Sequence, residues 1–407
     1  MNRPAAPSPI GIAGPRPSVS IVIAAAYAAL PANLVPTIIS GLATEFAVPL
    51  SVAGASATAM TLANAAAVLA SRSLVSRGHR VLVARAGVSL VMLSFIAGAI
   101  VLTAPVVIAS LIVGGIGSGL VVAAATAAIS RTANPDTTTT IVVVTNRIVV
   151  ALAYLTLPLI GGDIRAILLM MSAIGVIAWC GTHWLPSAPS EEPSLLDRET
   201  SLQTVDKRAV GSSAWLLALS FAIWTISEEG TYTLLEVLAT ANLPAIDVGG
   251  VSLLFAVSIA AGLLGSVIAP VLLRLAGRTT GVAVLLSLSI LVKLGLVLVT
   301  DPALYFACGI LWGFAFGAII PLVFGLAANL AYNGSASVLV NGVYVVGVAL
   351  GPLVATVLFE AAGHNAFGYT FAALGVLSGA VVVIACKRAD ALVTPRQLMH
   401  SDWEARL

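Results

Sequence analysis

Runs of about 20 or more residues with few or no charges recur from one end of this chain to the other, each long enough to cross a hydrocarbon core of roughly 30 Å. They fall at 19–42, 50–71, 80–103, 105–128, 139–162 and 164–185, then at 213–235, 248–273, 279–299, 302–328, 336–359 and 366–386. With 59% apolar and 9% charged residues, the chain carries more apolar surface than a water-soluble core of 407 residues could hide. Outer-membrane barrels need short strands of alternating polarity, which these unbroken runs are not. Helices satisfy their own backbone in lipid, so the expected fold is an all-α membrane protein with twelve transmembrane helices. The first run is longer than a signal-peptide core and continues to about Leu42, so it reads as a span.

Assigning the connections alternately to the two sides exposes a charge asymmetry. Of the 19 Lys and Arg, only Arg165 falls on the side opposite the termini, with Arg147 and Lys293 inside spans. The positive-inside rule therefore makes both termini and the central connection cytoplasmic. Residues 186–212 form a polar linker without apolar periodicity, separating six spans at 19–185 from six at 213–386, with tails at 1–18 and 387–407. The two halves match at an offset of 194 to 199 residues: Leu42-Ala43-Thr44 with Leu238-Ala239-Thr240, Gly78 with Gly277, Gly115 and Gly119 with Gly313 and Gly317, Asn146 with Asn341, and Pro158 with Pro352. Six spans per half start both halves on the same side, so the two bundles form a parallel pseudo-symmetric pair. Cys180, Cys308 and Cys386 lie in apolar segments without pairing or metal spacing and read as core residues.

On these motifs the chain resembles the major facilitator superfamily over essentially its whole length. Gly78-His79-Arg80 sits where the family has its basic loop between spans 2 and 3, with Val75 in place of the acidic residue. Gly115-Ile116-Gly117-Ser118-Gly119 is similar to the glycine-rich stretch of span 4, with Leu111 in place of the preceding arginine. Pro158-Leu159-Ile160-Gly161-Gly162, in span 5, is similar to the proline and double-glycine segment of 12-helix drug/proton antiporters, and span 11 carries Gly351-Pro352. The resemblance implies that Gly78, Arg80, Pro158, Gly161, Gly162, Gly351 and Pro352 serve conformational change, and that spans 1, 4, 7 and 10 line a central cavity. Read physically, glycines four apart open a groove for a neighbouring backbone, and proline permits bending. Either suits ordinary packing as well as helices that rock.

Charge within a span costs about 2.5 to 3.5 kcal/mol at a helix centre on insertion scales, so the exceptions point to function. In span 7, Glu228 and Glu229 point about 100° apart, while Glu229, Tyr232 and Glu236 share one stripe above Thr225. Glu229 first, and Glu228 second, are the expected proton-coupling carboxyls; a purely structural hydrogen bond is the alternative. Arg147, deep in span 5, needs a partner: a carboxylate such as Glu229, or an anionic substrate. Lys293 stands near the outer end of span 9, where snorkelling to water is the simplest reading. Expected substrate contacts are Arg147, Tyr232, Asn146, Asn341, Trp312 and Asn33, the last placed opposite Glu229 by the repeat. Tyr154, Trp224, Phe316 and Tyr344 extend a set of aromatics that serves as a cavity wall or as packing.

No glycine-rich phosphate loop, metal-ligand cluster or nucleophile constellation stands in the sequence, so no cofactor, no nucleic-acid partner and no enzyme activity are expected. The expected function is that of a secondary active transporter, a monomer in the cytoplasmic membrane of a bacterium, exporting a small amphipathic or hydrophobic compound in exchange for protons. Import of an organic anion with protons, centred on Arg147, is the alternative. A membrane ligand sensor without transport is the alternative of another class.

Overall fold

A computed structural model of the chain describes residues 15–129, 132, 135–186, 207–330 and 335–404, and every regular element in them is helical. The N-terminal tail and the linker expected at 186–212 lie mostly outside these residues. The helices are α1 Pro15–Asn33, α2 Val35–Glu45, α3 Leu50–Ser76, α4 Arg80–Val101, α5 Ala104–Ile129, α6 Pro135–Thr156 and α7 Ile164–Gly181. They continue with α8 Lys207–Thr233, α9 Leu235–Asn242, α10 Val248–Ala276, α11 Arg278–Leu298, α12 Pro302–Leu330 and α13 Ser335–Glu404. Ten stretches of the described helices are long and apolar enough to cross a membrane. Large apolar side chains are turned outward, Leu159 at 84% and Leu275 at 81% exposure, as lipid and not water would allow.

Differences from the expected spans have local causes. The first and seventh runs are each two helices, broken at the fully buried Leu34 and Leu234. At each break the hydrogen bonding runs on, with Leu34 N donating to Leu30 O and Leu234 N to Gly230 O, both at 3.2 Å. In this register Asn33 corresponds to Thr233 and not to Glu229, four residues from the pairing that the Leu-Ala-Thr match gives. Helix α8, which carries Glu228 and Glu229, is not among these ten stretches. The apolar stretch Leu339–Arg388 leaves helical geometry at Gly363, φ 80°. At 1.5 Å per residue its 50 residues would otherwise reach well past any bilayer.

Two compact units emerge. One comprises Met1–Ile38, Ala59–Val150 and Ile160–Glu191; the other Ile39–Thr58, Ala151–Leu159 and Glu192–Leu407. In the first, α5 presses its glycines against its neighbours: a Cβ on Gly115 or Gly119 would run into the carbonyl oxygens of Met60 and Asn64 on α3. Asn64 Nδ2 donates to Ser118 Oγ at 3.0 Å, and Ser118 Oγ donates in turn to the Ala28 carbonyl of α1. The second unit repeats this device, with Gly313 and Gly317 of α12 against the backbone of Ser258 and Gly262 on α10. Here the glycines serve close helix packing. Gly78 and Gly277 are also equivalent: each closes the turn before a basic helix start, at φ 92° and 72°, where a Cβ would be strained.

The second unit takes in the start of α3 because that turn packs on α13. A Cβ on Gly54 would meet the Pro352 carbonyl at 2.7 Å, and Ser51 N donates to Glu360 Oε2 at 2.8 Å. Cys308 and Cys386 are buried, but Cys180 is exposed: it sits on the outward face of α7 beside Trp179, where an apolar sequence marks lipid contact and not a core.

Candidate functional site

Helix α8 delivers Glu228 to the interior of the second unit with 0% of its surface exposed. A carboxylate so placed must find donors to replace water. Helix α11 supplies two from consecutive turns: Ser289 Oγ donates to Glu228 Oε1 at 2.7 Å, and Lys293 Nζ pairs with the same oxygen at 2.8 Å. Helix α12 supplies the third, Trp312 Nε1 donating to Oε2 at 2.6 Å. Lys293, 3% exposed, also donates to Ser227 Oγ at 2.9 Å, and the Ser227 hydroxyl in turn donates to the Phe371 carbonyl on α13 at 3.1 Å. Four helices thus converge on one buried ion pair.

Lys293 is therefore not a snorkelling residue. Its side chain turns inward because a buried carboxylate of opposite charge lies within reach, and an unpaired ammonium would cost far more than the pair. The pairing signal in the sequence was the presence of just one lysine and a glutamate pair inside otherwise apolar spans. Position relative to the helix end was the weaker guide.

Trp312 joins this polar site to an aromatic ladder. Its ring stacks with Tyr232 at 6.0 Å and Phe316 at 6.1 Å between centroids. Phe316 stacks on Trp224 at 5.8 Å, Trp224 on Phe221 at 5.1 Å, and Phe221 on Tyr344 at 5.4 Å. In the other direction Tyr232 meets Phe255 edge-on at 5.6 Å, and Phe255 stacks on Tyr154 at 4.4 Å, with the Tyr154 and Tyr232 hydroxyls 3.3 Å apart. All six aromatics expected from the sequence lie in this ladder, and Phe221 and Phe255, both fully buried, are additions. Trp312 and Trp224 are buried, while Tyr232, Phe316 and Tyr344 keep part of their surface accessible.

The remaining expected residues are dispersed. Glu229 is half-buried on the stripe it shares with Tyr232 and Glu236, and Gly351 of α13 packs so close that a Cβ there would stand 2.5 Å from its Cβ. Arg147 is half-buried in the first unit, with no ion pair to it among the described residues. Its neighbour Asn146 donates to the Ala26 carbonyl of α1 at 3.2 Å, Asn33 donates to Ala29 O of its own helix at 2.7 Å, and Asn341 is exposed. Arg80 is fully buried, donating from Nη1 to the Pro186 carbonyl at 3.3 Å. Pro158 falls in a 3₁₀ turn, Leu157–Ile160, that ends α6, and Gly161 and Gly162 follow at φ 110° and 70°. That segment terminates its helix, whereas its counterpart Gly351-Pro352 lies inside α13.

A family model described as Major Facilitator Superfamily matches residues 21–344. The chain belongs to the Major Facilitator Superfamily. Solved structures agree in fold. The nucleoside transporter NupG superposes with a TM-score of 0.69 at 15% identity, covering 92% of this chain and 99% of that one. A bacterial homolog of the human lysosomal transporter Spinster gives 0.67 at 14% identity over 94% and 98%. The human organic anion transporter TETRAN gives 0.60 at 16% identity over 90% and 99%. No curated protein matches the chain. Membership of this superfamily, with transporters as structural neighbours, makes the chain a multi-pass membrane transporter and not an enzyme.

Proposed function

We propose that this superfamily member is a proton-coupled secondary transporter of twelve spans, counting α1 with α2 and α8 with α9 as one each and dividing α13 at Gly363, that exports a small amphipathic compound by alternating access. The observation that carries the reading is the bond from Trp312 Nε1 to Glu228 Oε2, because it joins a buried ion pair to an aromatic surface through one side chain. Protonating Glu228 removes the charge that holds Lys293 and weakens the acceptor that holds Trp312. The Trp312 ring, freed to turn, alters the faces that Tyr232 and Phe316 offer to an apolar substrate. Charge-assisted hydrogen bonds are worth about 1.5 to 3 kcal/mol, which matches the roughly 1 to 3 kcal/mol typical of coupling between two sites.

Glu228 takes the principal proton-coupling role, and Glu229, on the half-buried stripe with Tyr232, serves the substrate side. Both termini are cytoplasmic on the charge asymmetry of the loops, the membrane is the cytoplasmic one, and the monomer is the working unit. Pro158, Gly161 and Gly162, with Gly351 and Pro352, are positions where helix ends and helix packing change during the cycle.

A second reading, import of an organic anion with protons, is favoured by the half-buried Arg147, for which no ion pair falls among the described residues. Counterflow in proteoliposomes separates the two. A panel of amphipathic aromatic compounds should exchange across the membrane in wild type and lose exchange in Trp312→Ala with Arg147→Gln unaffected. Exchange of organic anions alone, abolished by Arg147→Gln, would replace the export reading with the second.

A further inference from the structure

In the first unit α4 and α7 pack side by side, and their neighbouring ends gather Arg85, Trp179, His183 and Trp184. The Arg85 guanidinium lies over the Trp179 ring, Cζ 4.9 Å from its centroid, and Nη2 stands 3.3 Å from His183 Nδ1. Guanidinium nitrogens only donate, so Nδ1 accepts and the imidazole proton sits on Nε2, a second donor. Arg85 Nε is buried without a hydrogen-bond partner, and no carboxylate pairs with this cation among the described residues. The Nε is enclosed, but the guanidinium as a whole is half-buried beside the exposed His183. Stacking on Trp179 holds α4 to α7 yet leaves the positive charge without an anion.

The location says where the anion comes from. The apolar stretch Ile164–Trp184 ends at these residues, and Trp179 and Trp184 are 41% and 46% exposed, as indoles at the boundary between hydrocarbon and headgroups are. Along the same helix the apolar side chains of Val176 and Ile177 are turned outward. We infer that Arg85 and His183 bind the phosphate of an anionic phospholipid, with the two indoles at the headgroup boundary and the acyl chains along α7. On the charge assignment of the loops this lipid belongs to the cytoplasmic leaflet.

Native mass spectrometry of the lipid-depleted full chain in detergent, with phosphatidylglycerol and phosphatidylcholine added in turn, tests this. One basic group near the surface accounts for about a fivefold preference for anionic lipid, so wild type should retain phosphatidylglycerol at least that strongly over phosphatidylcholine. Arg85→Gln should bring the ratio close to one, Arg85→Lys should keep part of it, and Arg72→Gln, at an exposed position on α3, should leave it unchanged. An undiminished ratio in Arg85→Gln overturns the site, as does displacement by inorganic phosphate as effective as that by short-chain phosphatidylglycerol, which would make it a free-anion site. Should the Arg85 variants not fold, wild type alone decides. Phosphatidylglycerol with brominated chains must quench tryptophan fluorescence more than its phosphatidylcholine counterpart, and equal quenching overturns the inference.

Discussion

A carboxylate with no exposed surface keeps its charge only where its neighbours replace lost water, and Glu228 has three donors for the purpose, from Ser289, Lys293 and Trp312. Removing one partner of a buried pair strands the other charge. Lys293→Ala is expected to cost about 3 to 5 kcal/mol, read as a large fall in the thermal midpoint of the purified protein. Glu228→Gln with Lys293→Met, which removes both charges together, should recover most of that loss; failure to recover would show that the pair is not one thermodynamic unit. Trp312→Phe keeps a ring in the ladder but deletes the N–H, for a milder loss of roughly 1.5 to 3 kcal/mol. At this scale the sequence was partly legible. It marked span 7 and both glutamates, but helical spacing alone could not rank Glu228 against Glu229, because the ranking is set by α11 and α12. Lys293 was misread for the same reason: its partner lies on another helix, 65 residues away in number, and only folding brings them to 2.8 Å.

Elements were legible to the extent that their cause is local. Apolar run length marks the helices, and the repeated glycines mark a close backbone approach on α5 and α12, whose partners α3 and α10 only the fold identifies. The break at Leu34 is marked in the sequence by Pro31 and Pro36, neither of which has an N–H to donate to the preceding turn, whereas no proline flanks the equivalent break at Leu234. Helix α6 ends at Thr156, six residues before the expected 162, because the proline and double glycine end the helix through a 3₁₀ turn instead of lying inside it. Packing arguments at this scale make a paired prediction. Gly317→Val puts a branched side chain against the Gly262 carbonyl and should cost about 1 to 3 kcal/mol or more, with poor recovery of folded protein. Gly342→Ala, where nothing stands within 4 Å of the added methyl, should be neutral or gain up to about 1 kcal/mol from helix propensity. Equal behaviour of the two in a fluorescence-detected gel-filtration melt would refute the close-packing account.

For the molecule as a whole, the superfamily fold and its transporter neighbours set the class of function, and the buried ion pair joined to an aromatic ladder supplies the proposed coupling. The account separates two activities that a carrier performs with the same site. Exchange of substrate across the membrane needs only the binding surface, whereas uphill movement needs the proton. Glu228→Gln with Lys293→Met, which leaves no stranded charge, should therefore keep counterflow while losing accumulation driven by a proton gradient, because the amide still accepts a hydrogen bond from Trp312 but has no proton to trade. The decisive measurement is substrate flux in proteoliposomes after a pH jump, wild type against this double variant. The account predicts that wild type moves substrate uphill against inward proton flow while the variant only equilibrates it. Uphill transport by the variant at the wild-type rate would contradict it.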